Sequence, residues 1–180
     1  IMVGWRSFRD KEGAMTSAVL TRMQRFEVSA ESRALWSAVA VMLLTTVHHS
    51  YGAIIYNTPW RHHVAIVGVV TVLVLFASLR VHRSLAGKLG GTIAFWLFAI
   101  VTLLIPVVGI GVYEGGYNHV MKDVLYFSGA SAELMNRLFP APTYEMPNDA
   151  FFEITGVLQF PLALFTGWEL VKAIRLERKS

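Results

Sequence analysis

At 180 residues the chain is one domain's worth, and with 54% hydrophobic and 16% charged residues it is more apolar than soluble domains, which carry about 25% charged residues. It has no cysteine, which excludes disulfides, zinc ribbons, thiolate-held clusters and cysteine nucleophiles. The net charge of +4 is not gathered into basic runs alternating with aromatics, so no nucleic-acid partner is expected.

The pattern predicts an all-α, polytopic membrane protein with four transmembrane helices. Residues 1–33 form a cytoplasmic N-terminal segment, polar and mixed in charge. Val19, Leu20, Met23, Phe26 and Val28 recur at mostly helical spacing, interrupted by Arg22, Arg25 and Glu27, as in an amphipathic helix lying in the membrane interface. An apolar core after the early basic residues, the mark of a cleavable signal peptide, is not seen.

A four-helix transmembrane domain follows over 34–176, with spans at about 34–56, 64–80, 92–113 and 150–171. Asn57, Thr58 and Pro59 read as a turn between the first two spans, with Trp60 and Arg61 as interface anchors. Pro106 predicts a kink in the third span. Asn148 or Asp149 is placed to cap the fourth, which contains Pro161. Residues 114–149 are too long and too aromatic for a linker and read as a partly helical extracytoplasmic cap, with one or two short helices broken at Ser128-Gly129. Residues 177–180 are a cytoplasmic tail.

Lysine and arginine set the expected orientation. Thirteen of the 16 fall on the side of the termini and the 80–88 connection; only Arg61, Lys122 and Arg137 fall on the other, whose formal charge is −3. Both termini are therefore expected in the cytoplasm of a multi-pass protein of the cell (inner) membrane. The basic character is then a matter of topology, not of polyanion binding.

His48 to His63 carries four of the six histidines. His48 and His49 lie inside the first apolar run, roughly 20 Å from its start at about 1.5 Å per residue. His62 and His63 open the second span, Glu114 ends the third with His119 five residues on, and Glu153 starts the fourth one turn after Asp149. Imidazole and carboxylate together suit copper, iron or zinc, and helix bundles build such sites from inward side chains on facing helices. The expected metal ligands are His49, His63, Glu114, His119 and Glu153, with His48, His62 and Asp149 behind them. His49 is preferred to His48 because it shares a face with Gly52 and Ala53. Gly109, Gly111, Gly115 and Gly116 would let backbones come close, and Gly115-Gly116 would end the third helix and turn His119 back toward Glu114. His82 has no expected partner. Gln159 is expected to bond a neighbouring helix, and Glu169 to pair with Lys172 or Arg175.

Plainer roles stand beside these. His62 and His63 fit an interfacial belt, His119 a loop, Glu153 a helix-dipole partner and Glu114 a snorkelling acid. Three functional readings follow: a His/Glu transition-metal protein, as a metal-dependent oxidoreductase or a subunit of a larger membrane complex; a b-type cytochrome with one bis-His haem; and a non-catalytic accessory subunit. The partners expected are the lipid bilayer and other membrane subunits or further copies of the chain.

Overall fold

Apolar runs bounded by turn residues give four helices, each long and apolar enough to cross a membrane. The structure, a computed structural model, describes residues 30–141 and 143–179. The expected N-terminal amphipathic helix lies outside them, except that the first span already begins at Ala30. The long helices are α1 (Ala30–Ile55), α2 (Pro59–Ser84), α3 (Leu89–Phe127) and α5 (Ala150–Glu177). A short α4 (Ala132–Leu138) lies between α3 and α5. No strand occurs among the described residues.

Local chemistry sets the turns. Asn57 adopts φ +51° after α1, Thr58 N–H reaches back to Ala53 O at 2.9 Å, and Asn57 N–H to Ile54 O at 3.4 Å. That is a Schellman ending, with asparagine taking the left-handed position. Pro59 then stands in the first turn of α2, where a missing N–H costs nothing. At the start of α5 the Asp149 carboxylate accepts Phe152 N–H at 2.8 Å. Ser128-Gly129 ends α3, with Gly129 at φ +83°.

The main apolar core and the largest group of buried polar side chains lie toward opposite ends of the bundle. Ala34, Ala38, Leu75, Leu79, Phe95, Phe98 and Leu170 pack together near the chain termini. Toward the α1–α2 turn the buried groups become His48, Arg61, His119, Lys122 and Glu153. Outward faces of all four helices carry exposed apolar residues such as Leu43, Ile66, Ile93 and Leu164, as expected for contact with lipid.

The third helix departs most from expectation. It does not end at Gly115-Gly116 but continues to Phe127, so residues 114–127 belong to the helix and not to a cap. Glycine stops helices where solvent can take over the backbone; here both glycines lie against Phe160 of α5, and glycine is common in membrane helices. From Leu103 to Met121 the helix is wound as a π-helix, a form usually confined to single turns. Pro106 lies inside this stretch; it has no N–H, and its ring crowds the carbonyl four residues back, so a wider turn relieves the clash. At about 4.4 residues per turn, residues four apart nearly line up. Val107, Gly111, Gly115 and His119 accordingly form the buried stripe that α5 covers.

In a lipid surrounding, whose tails are as apolar as leucine, close approach rather than area removed from water would hold such helices together. A Cβ on Gly111 would overlap the Ala163 side chain. Gly111→Val should therefore cost about 1–3 kcal/mol and lower the thermal midpoint in detergent. Ile93→Val, on an exposed face, should stay within about 0.5 kcal/mol. Equal midpoints would contradict this packing.

Candidate metal centre

The buried stripe of α1 is Ala34, Ala38, Val41, Thr45, His48 and Gly52, at alternating spacings of four and three. His48 is therefore the inward histidine, fully buried, and His49 stands beside it, partly exposed. The expectation that His49 faces inward came from its proximity to Gly52 and Ala53. Thr45 one turn back, and Ala38 and Ala34 further back on the same face, mark His48 as the inward residue.

His119 comes inward through the π winding. In an α-helix, residues five apart point about 140° from each other. In the wider winding the difference is about 50°, so Glu114 and His119 share a face. Gly156 of α5 makes room for the imidazole, since a Cβ there would overlap the ring.

The hydrogen bonds fix which nitrogens face the centre. Thr155 Oγ donates to the carbonyls of Phe151 and Phe152, at 2.8 and 3.0 Å. Its oxygen is thus left to accept from His48 Nδ1–H, at 3.0 Å. His119 Nδ1–H donates to Glu153 Oε2 at 2.7 Å. Lys122 Nζ holds the other oxygen of that carboxylate at 3.0 Å and also donates to the Glu145 carbonyl at 2.8 Å. With both rings neutral, each turns an Nε2 lone pair inward, and the two Nε2 atoms stand 3.2 Å apart. Glu114 Oε1 completes a triangle, 3.6 Å from His48 Nε2 and 3.7 Å from His119 Nε2.

This triangle has the dimensions of a metal site. A point in its plane lies about 2.0 Å from all three atoms, and zinc binds nitrogen and carboxylate oxygen at about 2.0–2.2 Å. The buried His48 and His119 and the half-buried Glu114 could hold a metal ion. Thr155 and Glu153 stand where outer partners of ligating histidines stand, on the ring nitrogen away from the ion. Among the described residues Glu114 has no lysine or arginine at salt-bridge distance; its partners are imidazoles and the Asn118 amide, which donates at 2.6 Å.

The other candidate residues fall at different places. His49 Nε2 lies 3.5 Å from Glu114 Oε1, at the margin of the triangle. Glu153 is brought to His119 but on its outer nitrogen. His63 is not brought in: its Nδ1 meets the Trp60 carbonyl and its ring stacks on Trp60. His62 is exposed. Asp149 caps α5 and accepts Tyr51 OH at 3.1 Å.

Two functional groups escaped sequence reasoning. The expected end of the third helix at Gly115-Gly116 leaves Lys122 in the cap; along the continuing helix the spacing His119-x-x-Lys122 puts the two residues on neighbouring turns. Arg61 was read as an interface anchor but is buried, its guanidinium 5.5 Å from the Phe152 ring centre and 3.8 Å from Glu145. A cleft of about 340 Å³ opens onto Glu114 and His119, lined also by His49, Arg61, Tyr113 and Tyr144. Burial pushes the Tyr144 hydroxyl above the ordinary tyrosine range, and its hydrogen bond to Tyr113 OH, 2.8 Å, adds to this. Gln159, deeper in the bundle, is buried with no side-chain hydrogen-bond partner among the described residues, contrary to expectation. Glu169 pairs with Lys172 as expected, at 2.8 Å, and also with Arg33 at 2.7 Å.

No protein-family model, no curated protein and no solved structure matches the chain.

Removing one partner of a buried ion pair leaves an uncompensated charge. Lys122→Met should thus cost about 3–5 kcal/mol in chemical unfolding of the detergent-solubilised protein. Glu133→Gln, exposed on α4, should change it by less than about 0.5 kcal/mol. A Lys122→Met variant as stable as the parent would contradict the assigned pairing with Glu153.

Proposed function

We propose that the chain is an integral membrane metalloprotein that holds a transition-metal ion through His48, Glu114 and His119 and works on a small molecule admitted by the adjoining cleft. The observation that carries this reading is the facing of two imidazole Nε2 atoms and one carboxylate oxygen that, among the described residues, has no lysine or arginine at salt-bridge distance. Three lone-pair donors at this depth repel one another unless a cation lies between them. Two nitrogens and one oxygen suit copper(II), iron or zinc. Such an ion would supply electron exchange or activation of water, according to its identity.

The chain's own groups have separate tasks in this reading. Thr155 and the Lys122–Glu153 pair hold the two rings in their ligating tautomers. Three donors in one plane leave both faces of that plane for further ligands, and the cleft gives access. His49, at its edge, is placed to pass a proton between the cleft and Glu114. Arg61 keeps a fixed positive charge beside the cleft. A metal-dependent oxidoreductase is the enzyme class this favours, working alone or as a subunit of a larger membrane complex.

The excess of lysine and arginine at the opposite end supports placing this site toward the extracytoplasmic face of the cell membrane, with the end of α5 in the cytoplasm. A haem held by His48 and His119 is not supported. Axial nitrogens stand about 4 Å apart across a flat porphyrin, whereas these two are 3.2 Å apart with their rings at 89°.

The test is zinc binding to the purified protein in detergent, by equilibrium dialysis and elemental analysis. His48→Ala and His119→Ala should each remove one bound equivalent. Glu153→Gln should keep it with affinity lower by about 10–100-fold, the usual effect of losing an outer partner. Unchanged binding in both histidine variants would overturn the reading, leaving a proton shared between two imidazoles as the account of their 3.2 Å contact.

A further inference from the structure

His82 lies at the other end of the bundle, in the last turn of α2. Its Nδ1 is 3.0 Å from the Gly91 carbonyl. A carbonyl only accepts, so Nδ1 carries the hydrogen and Nε2 points away from α3. Gly91 is packed so closely against the backbone of Leu85 and His82 that a Cβ there would overlap it, which fixes the ring's place.

His82 Nε2 faces two carboxylate oxygens from distant parts of the chain. Glu31 Oε1, in the first turn of α1, lies 3.2 Å away, and Glu177 Oε2, at the end of α5, lies 3.6 Å away. Arg83 takes the other oxygen of Glu31, at 3.2 and 3.3 Å, which turns Oε1 toward the histidine. The arginine and lysine ion pairs at this end of the bundle are 2.7 Å for Arg33–Glu169, 2.8 Å for Lys172–Glu169 and 3.2 Å for Arg83–Glu31; the His82–Glu177 separation is longer than each. Spacings of about 3.0–3.6 Å are those of donor atoms sharing one ion at bonds near 2.1 Å. The separations resemble those of His48, Glu114 and His119, and these three donor atoms likewise all lie within 4.8 Å of one another. A cavity of about 750 Å³, lined also by Lys88 and Trp96, opens onto the group and leaves room for water to complete a coordination shell.

We propose that Glu31, His82 and Glu177 form a second cation site, for a divalent ion of the zinc or manganese class, at the opposite end of the bundle from the first. Its one nitrogen and two oxygens make it the harder donor set. It joins the first turn of α1, the end of α2, the start of α3 through Gly91, and the end of α5. Occupancy therefore ties together four helix ends that the lipid-facing surfaces do not join.

The experiment counts zinc bound per chain in the purified full chain, with helicity followed by circular dichroism. The parent is expected to bind two equivalents, His82→Gln one and Glu177→Gln one, while the His119→Ala variant loses the other. An added excess of zinc should raise the parent's thermal midpoint more than that of His82→Gln. If His82→Gln loses helicity, Glu177→Gln decides the matter alone. A helical His82→Gln variant, or in its place Glu177→Gln, that binds as much zinc as the parent overturns the second site whatever happens at His119. A parent that binds one equivalent lost on His82→Gln retains the second site and overturns the first. A parent that binds none overturns both.

Discussion

One carboxylate organises the polar half of this bundle. Glu114 sits among helices whose outward faces are apolar, and the groups nearest its Oε1 are three imidazole nitrogens. Ionisable groups at such depth are costly and persist where something compensates them. A chain of neighbouring groups serves the compensation. Asn118 takes one carboxylate oxygen, Thr155 and Glu153 set the tautomers of the facing rings, and Lys122 keeps Glu153 charged and in place. These groups come from α1, α3 and α5, so the cluster also dictates how those helices meet.

The π winding of α3 makes that meeting possible. An α-helix would send Glu114 and His119 to different faces; the wider turn brings them to one face and lays Gly111, Gly115 and His119 along the stripe that α5 covers. Pro106 and the four nearby glycines look like helix breakers to a reader who expects water around them. Inside this packed bundle they are the means by which two backbones approach and one histidine is aimed.

The spans were legible because a run of about twenty apolar residues has few other meanings in a sequence. Asn57-Thr58-Pro59 and Asp149 were legible because turn and cap chemistry is local. The grouping of His48, Glu114 and His119 was only half legible. The topology put the residues at one level, but the choice between adjacent histidines depends on the α1 stripe, which is subtle among so many apolar side chains. His63 shows the limit: it begins α2 at the right level yet turns to the Trp60 carbonyl, a difference of rotamer that no spacing encodes. Lys122 and the partners of His82 were lost for one reason. Each depends on where a helix ends or on contacts between distant chain segments, and neither is written locally.

The central claim is that His48 and His119 present unprotonated Nε2 atoms to a common cation. Nitrogen-15 NMR of the histidine-labelled protein, assigned with single-residue variants and recorded before and after zinc is added, tests it most directly. The account predicts hydrogen on Nδ1 of both rings and a movement of both Nε2 resonances to metal-bound positions, with His62 and His63 unmoved. Hydrogen on Nε2 of either ring in the zinc-treated sample, or Nε2 resonances that zinc leaves in place, would contradict it.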